Sequence, residues 1–255
     1  MEKTADYSIA DRLESTKIWT AYDHIEGLHN KTPLIPYGII HQDGFKVNLW
    51  AKMDTLNPGG SFKDRGAEFF VYEAMRLGIL HPGDTVVTAS AGNHAKGVAK
   101  AAKEHGLSAV IYMSDQTPEK KIQGTKELGG EVNLVKGDYH DAAKAAKEFA
   151  DERKLVYVPA YEHEDIILGQ STVSTEIMMR ANELLFRPDF IVAPYGGGGL
   201  ANGIGFATRY FDRFGLFNQD GKPTRIRIYA VQAENFNTAV RSFKEGRMVD
   251  YVHNS

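Results

Sequence analysis

From Thr85 onward, short runs of strand-forming residues alternate with longer runs of helical character. The strand-like runs are TVVTA, SAVIYM, EVNLV and LVYVPA, and the segments between them carry apolar residues at helical spacing. Parallel strands need a helical crossover between them, so this alternation predicts βαβ units and a parallel sheet covered by helices. After a helix expected at residues 171–185, the pattern returns with DFIVAPYG, four glycines, LANGIGFATRYFDRFG and RIRIYAVQAE. The fold class is therefore α/β.

The composition limits the kinds of partner. The chain has 255 residues, of which 42% are hydrophobic, and a formal net charge of −3, which gives no basic field for nucleic acid. No segment approaches the roughly 20 apolar residues that span a bilayer. The absence of cysteine excludes disulfides, thiol catalysis and cysteine-ligated metals. The first 17 residues lack the apolar core of a secretory signal, so we expect a cytoplasmic protein that acts on small molecules.

The sequence contains no fixed-period repeat and no Pro- or Ser-rich linker between two halves. A second domain is therefore expected to be inserted into the first. We expect a small α/β domain at residues 85–155 within a large domain formed by residues 1–84 and 156–255. The polar run FNQDGKPT, residues 217–224, is typical of a surface loop.

The stretch NPGGSFKDRGAEFF, residues 57–70, follows a strand-like run at 47–53 and leads into a helical pattern at 64–79. Lys63 is thus expected in the first turn of a helix, after two glycines that let the backbone approach a bound group. A lysine amine becomes a nucleophile toward an aldehyde when burial or a nearby cation favours its neutral form. The alternative is that Lys63 is an ordinary solvated charge.

A second motif is TASAGNHAKGVA, residues 88–99, in which a strand ends in a turn that opens a helix. Free N–H groups at a helix start suit an anion such as a carboxylate, and the Asn93 amide can hydrogen-bond an oxygen on a flat ring. The alternative makes Ser90 or Asn93 a plain helix cap and His94 a surface residue.

The third motif is APYGGGGLANG, residues 193–203, with four successive glycines between a strand and a helix. Ordering four glycines has a large entropic cost and gives no side chain to pack, so a bound group should need the bare backbone. A phosphate held by amide N–H groups at a helix start fits that need. The run is neither a Walker loop nor a good dinucleotide fingerprint, and a tight structural turn is the alternative.

Together the three motifs call for a ligand with an aldehyde for Lys63, a phosphate for residues 196–199 and a polar ring oxygen for Asn93. Pyridoxal 5′-phosphate has all three groups. We therefore predict pyridoxal 5′-phosphate as the cofactor.

From about residue 30 to its end, the chain resembles the pyridoxal-phosphate enzymes of the tryptophan-synthase-β type, called fold type II, with the three motifs in family order. The resemblance implies two domains of open, mostly parallel twisted sheets flanked by helices. It also implies that Lys63 forms an imine with the cofactor and acts as the catalytic residue. The implied cofactor-binding residues are Phe62, Lys63, Asn93, Gly196, Gly197, Gly198, Gly199 and Leu200, and the implied substrate-binding residues are Ser90, Ala91, Gly92, Asn93 and His94.

Within this family, Ser-Ala-Gly-Asn-His and the four glycines resemble the threonine/serine dehydratases (ammonia-lyases) more than the threonine or cysteine synthases. Serine racemases usually carry a second serine where this chain has Ala91, and an alanine cannot transfer a proton, so elimination is favoured over racemisation. Gln232 stands where many relatives have an acidic residue near a cation site. We therefore predict no metal site.

The expected activity is the α,β-elimination (deamination) of threonine or serine to a 2-oxo acid and ammonia, in a homo-oligomer. The alternatives are a lyase for another β-substituted amino acid, such as diaminopropionate or hydroxyaspartate, and a catalytically incompetent cofactor-binding chain. The chain ends at DYVHNS, where family members continue with further strands and helices. We therefore expect that the C-terminal part of the large domain is absent.

Overall fold

The computed structural model describes residues 15–27, 31–213 and 225–249, so the loop expected at residues 217–224 lies outside the described residues. Within those ranges the helices are α1 Ser15–Gly27, α2 Lys63–Arg76, α3 Asn93–Glu104, α4 Glu119–Lys126, α5 Tyr139–Arg153, α6 Glu164–Glu183, α7 Gly199–Arg213 and α8 Thr238–Glu245. The strands are β1 Leu34–Gln42, β2 Phe45–Lys52, β3 Thr85–Ala89, β4 Ser108–Ser114, β5 Gly130–Val135, β6 Val156–Tyr157, β7 Phe190–Pro194 and β8 Arg227–Val231.

A four-stranded parallel sheet, in the order β5-β4-β3-β6, forms where strands and helices alternate in the sequence. Successive side chains of a strand point to opposite faces of its sheet. Accordingly, Val86 of β3 belongs to a core with Val98 of α3, whereas Val87 belongs to a core with Ala146 of α5. Helices thus cover both faces of the sheet, and the predicted α/β class is confirmed.

Two elements from outside residues 85–155 join this sheet and its core. β6 pairs with β3 in parallel register, and Ala67, Phe70 and Val71 of α2 pack in the same apolar cluster as α3. The helix that begins at Lys63 is therefore attached to the sheet that carries the second motif. The division into two domains stays a prediction.

β7 and β8 form a separate parallel pair beside α6 and α7. Its buried residues Ile191 and Ala193 pack with Ile204 and Phe211 of α7 and with Val173 of α6. The glycine run therefore lies between the carboxyl end of β7 and the start of α7. A parallel strand followed by a glycine turn and a helix is a common site for binding an anion.

Helix α6 packs between these two parts of the chain, against both α2 and α7. It begins at Glu164, seven residues before the start expected at residue 171. His163 caps this end, since its side chain accepts a hydrogen bond from the Asp165 N–H, and the two acidic residues of the first turn favour the positive end of the helix dipole. The expected start was wrong because histidine is not a usual helix cap and because the glycine within the first two turns is typical of a helix end.

Glycines set the spacing between α6 and its neighbours. A Cβ atom built on Gly169 would lie 2.4 Å from the backbone oxygen of Arg65 in α2. A Cβ atom built on Gly203 of α7 would lie 2.7 Å from the backbone oxygen of Ile167 in α6. The three helices therefore pack backbone to backbone at these two positions. As a result, the first turns of α2 and α7 lie on either side of the N-terminal part of α6.

A buried ion network fixes the first turn of α2. The Arg65 side chain is fully buried and donates to Asp54 and to Glu176 of α6 at 2.9 and 2.5 Å. It also donates to the hydroxyls of Thr32 and Thr172. The guanidinium thus joins the exit of β2, helix α2 and helix α6, two residues after Lys63.

Candidate cofactor site

Lys63 is the first residue of α2, as the sequence predicts. The turn before it is fixed by its own neighbours: the Gly59 N–H donates to the Asp64 carboxylate at 2.6 Å, and the Lys63 N–H donates to the Ser61 hydroxyl at 3.2 Å. Gly60 has a φ of +85°, a conformation that side chains rarely adopt. This local geometry explains why a Pro-Gly-Gly-Ser turn precedes the lysine.

The Lys63 amine points into the molecule. Its Nζ donates a 2.6 Å hydrogen bond to the backbone oxygen of Ala160, and it lies 5.5 Å from the centre of the Phe62 ring. Burial lowers the pKa of the Lys63 amine, although the nearby Glu162 carboxylate favours its charged form. The Lys63 amine is therefore not a fully solvated charge, and burial moves its pKa in the direction that a nucleophile requires. Its catalytic role stays a prediction.

The second motif lies directly against Lys63. A Cβ atom built on Gly97 of α3 would lie 3.0 Å from the backbone oxygen of Lys63, so the first turns of α2 and α3 touch. Ahead of α3, the Gly92 N–H donates to the Ser90 hydroxyl at 3.1 Å, and Gly92 precedes the helix without a side-chain cap. Gly92 and Asn93 are exposed, while Ser90 and Ala91 are half-buried. The turn thus presents polar groups to solvent beside the lysine.

His94 does not lie on the surface, so that alternative for the second motif is wrong. Its side chain is buried, and its Nε2 lies 3.3 Å from the backbone oxygen of Val158. Burial and the nearby positive charge of Lys63 lower the pKa of His94 to about 4. At neutral pH the imidazole is therefore uncharged, and it adds no second cation beside the lysine.

The third motif forms the N-terminus of α7. Gly196 and Gly197 are exposed, whereas Gly198, Gly199 and Leu200 are buried. Leu200 packs in the apolar core of β7 and α7. The N–H groups of a first helical turn have no acceptor within the helix, so this end can bind an anion.

The glycine run packs against Tyr161. A Cβ atom built on Gly197 would lie 2.3 Å from Cγ of Tyr161, and one built on Gly199 would lie 3.1 Å from its Cα. Side chains at these two positions would collide with Tyr161 or its backbone. The two glycines are therefore required by close approach, and the amide groups of the run stay uncovered by side chains of their own.

All three motifs meet one segment that the sequence analysis did not select, residues 158–161. Val158 contacts His94, Ala160 accepts from Lys63, and Tyr161 covers the glycine run. Phe62, like Leu200, packs its side chain against the core of β7 and α7, and its ring lies 5.5 Å from the Lys63 amine. Residues 158–161 directly follow a strand of a parallel sheet, where ligands commonly bind, and this position could have identified them from the sequence.

The arrangement brings a part-buried amine with a lowered pKa and a glycine-rich helix start to the same loop. The comparison with protein families agrees: residues 25–255 match the family described as pyridoxal-phosphate dependent enzyme. The chain belongs to this family. The resemblance to fold type II enzymes is therefore confirmed, and so is the predicted cofactor, because the family uses pyridoxal 5′-phosphate.

The similar curated proteins include dehydratases and a racemase. The biosynthetic L-threonine dehydratase of Haemophilus influenzae is 31% identical over 222 residues, which are 87% of this chain and 40% of that protein. The serine racemase of Schizosaccharomyces pombe is 30% identical over 230 residues, 90% of this chain and 65% of that protein. The chain spans less than two thirds of the length of these relatives.

Solved structures show the same fold. Threonine deaminase isoform 2 from Solanum lycopersicum is 29% identical with a TM-score of 0.73, and 92% of this chain covers 65% of that one. Maize serine racemase is 26% identical with a TM-score of 0.76, and 92% of this chain covers 66% of that one. Among the described residues, no helix has the length and apolar character needed to cross a membrane.

Proposed function

We propose that this chain is a pyridoxal-phosphate lyase that removes the α-proton and the β-hydroxyl of threonine or serine as water. Hydrolysis of the resulting enamine then releases ammonia and leaves a 2-oxo acid. One observation carries the proposal: the buried amine of Lys63 donates to Ala160, and the next residue, Tyr161, lies against the glycine run. A nucleophilic amine and a bare anion site thus flank the same two residues. Threonine dehydratases among the relatives support the substrate class.

The residues present fit the cofactor. The Lys63 amine has the lowered pKa that attack on the cofactor aldehyde requires. The backbone N–H groups of residues 196–199 and Leu200 suit the phosphate, and the exposed amide of Asn93 would hydrogen-bond the ring hydroxyl. When bound, pyridoxal phosphate withdraws the electron pair left at the substrate α-carbon.

The chain's own groups then account for binding and proton transfer. The turn of residues 90–93 holds the substrate carboxylate at the start of α3, where free N–H groups and the helix dipole favour an anion. The Lys63 Nζ, once free, removes the α-proton as general base, since burial lowers its pKa in the direction that a base requires. His94, uncharged and bound to Val158, keeps α3 in place without competing for that proton.

Ala91 supports elimination over racemisation. Racemisation needs a second acid or base on the opposite side of the α-carbon from the lysine, and an alanine carries no exchangeable proton. Ala91 is half-buried and packs against the core of α2 and α3, so its position is fixed by packing. A racemase is therefore the less favoured activity, although serine racemases are among the relatives.

The test is reduction with borohydride followed by peptide mapping of the labelled lysine. We expect Lys63 to carry the label, and Lys63→Ala to lose both the label and 2-oxo acid production. Lys52 is the matched alternative, because burial also lowers its pKa, but its amine is paired with the Glu176 carboxylate, which favours its charged form. A label on Lys52, or normal turnover by Lys63→Ala, would contradict the proposal.

Two other outcomes have their own signatures. A panel of threonine, serine, diaminopropionate and hydroxyaspartate identifies the substrate by which amino acid releases ammonia. Diaminopropionate is included because a diaminopropionate ammonia lyase from Escherichia coli shares the fold with a TM-score of 0.77. A chain that takes up the cofactor and its colour, but releases no ammonia from any member, would be the catalytically incompetent alternative.

A further inference from the structure

Three side chains, two from helices and one from the residue after a third helix, converge at a place separate from the lysine. His24 lies in α1, Glu68 in α2, and His105 directly follows α3. The Glu68 Oε1 lies 2.9 Å from Nε2 of His24 and 2.5 Å from Nε2 of His105. One ligand atom from each residue lies within 4.8 Å of the other two. Their spacing of 37 and 44 residues from Glu68 explains why no sequence motif revealed them.

The carboxylate at the centre is incompletely satisfied. Glu68 is 1% exposed, and its Oε2 has no hydrogen-bond partner among the described residues. A buried carboxylate oxygen without a partner is costly, and native structures usually supply a donor or a cation. The unpaired oxygen belongs to the same group that both imidazoles face, so a cation there would bind all three side chains.

The two imidazoles are held in place for binding. The His24 ring stacks on Tyr72 with the ring centres 3.7 Å apart and 20° between the planes. The His24 and His105 rings lie 6.1 Å apart at 30°, and both side chains are partly exposed, which leaves a path from solvent. A tetrahedral zinc ion separates its ligand atoms by about 3.3 Å, so contacts of 2.5 and 2.9 Å need to open by less than about 1 Å.

We propose that His24, Glu68 and His105 bind one Zn²⁺, with water in the fourth position. Two imidazoles and a carboxylate suit zinc, whereas magnesium and calcium prefer oxygen ligands alone. The ion connects α1, α2 and α3, and Glu68 is five residues from Lys63 on α2. The site therefore holds in place the helix that begins with Lys63. Zn²⁺ binding at this site does not depend on the proposed reaction.

The test is titration of the full chain, stripped with a chelator, with Zn²⁺ by calorimetry and thermal denaturation. We expect one saturable equivalent and a Tm that rises with free Zn²⁺, because an ion that binds only the folded state stabilises it. Glu68→Gln and His105→Gln should weaken binding by more than the roughly 10–100-fold that loss of an outer-shell partner costs. Glutamine can still donate to a neighbour, so His105→Gln keeps a hydrogen bond to Glu68.

The matched control is His81→Gln, because His81 is exposed and also faces a carboxylate, that of Asp84 at 3.7 Å. It should bind Zn²⁺ like the wild type. Equal Zn²⁺ binding by wild type, Glu68→Gln and His105→Gln would overturn the proposal, as would the lack of a saturable equivalent. If a variant does not fold, Co²⁺ added to the wild type decides: intense visible bands of four-coordinate Co²⁺ support the site, and their absence overturns it.

Discussion

The amine of Lys63 and the backbone oxygen of Ala160 are 2.6 Å apart, although 97 residues separate them in the chain. Ala160 follows β6, at the carboxyl end of the parallel sheet, and is followed by Tyr161 on the glycine run. The loop after one edge strand therefore brings together the start of α2 and the start of α7. The position of this loop, and with it the site, depends on the pairing of β6 with β3.

Gly197→Ala should lower the free energy of unfolding by about 1–3 kcal/mol, because its Cβ would lie 2.3 Å from Cγ of Tyr161 and force the ring to move. Gly196→Ala is the matched control, since a Cβ there meets no atom within 4 Å, and it should change stability by less than about 0.5 kcal/mol. Urea denaturation measures both.

Tyr161→Ala in the Gly197→Ala background removes the collision and should recover most of the loss, which a double-mutant cycle quantifies. An equal effect of the two alanine substitutions, or no recovery with Tyr161→Ala, would show that the glycine run does not pack on Tyr161.

The sequence predicted those parts of the site that depend on local signals. Lys63 was expected in the first turn of a helix because Pro-Gly-Gly precedes an apolar helical pattern, and the structure has it at the first residue of α2. The strands and helices from β3 to β6 were likewise predicted from alternation. Short-range patterns suffice here because each element buries one recognisable face.

Long-range contacts were beyond the sequence. Tyr161 and Ala160 belong to a polar-looking loop, PAYEHED, and nothing local shows that the loop meets Lys63 and Gly197. His94 was weighed as a surface residue because its burial comes from contact with the strand end at Val158, 64 residues away. Such positions depend on topology, which hydrophobic periodicity does not encode.

Gly203→Ala and Gly205→Ala should change the free energy of unfolding in opposite directions, although both residues lie in α7. A Cβ on Gly203 would lie 2.7 Å from backbone atoms of α6, so α6 and α7 must separate, and we expect a loss of about 1–3 kcal/mol. A Cβ on Gly205 would lie 3.7 Å from Ile228, an ordinary contact, and alanine is the better helix former, so we expect a gain of about 0.5–1 kcal/mol. Thermal unfolding of both variants tests this, and equal signs would contradict the α6–α7 packing.

Arg65→Met should lower the free energy of unfolding by about 3–5 kcal/mol, because it removes this cation from the buried carboxylate of Glu176 and the half-buried carboxylate of Asp54. Arg180→Met is the matched control: its guanidinium also pairs with a glutamate, Glu183 at 2.7 Å, but on the surface, and it should change stability by less than about 1 kcal/mol. Urea denaturation compares the two. A similar loss for both variants would mean that the buried network contributes no more than a surface pair.

The free energy of unfolding should decrease as the pH is lowered, because His94 takes up a proton more readily in the unfolded chain. Its pKa is about 4 in the folded chain, because burial and the facing Lys63 cation disfavour its charged form, whereas an unfolded histidine has a pKa of about 6.5. The unfolded state therefore binds the proton first, so the contribution is present above about pH 6.5 and is lost as pH falls toward 4. Between pH 7.5 and pH 5, this one group should cost the wild type about 2 kcal/mol. His94→Gln has no side chain that titrates, so its free energy of unfolding should decrease by about 2 kcal/mol less than that of the wild type over the same pH interval. Urea denaturation at each pH measures both proteins. Parallel pH profiles for the two proteins would show that His94 is protonated equally in the folded and unfolded chain.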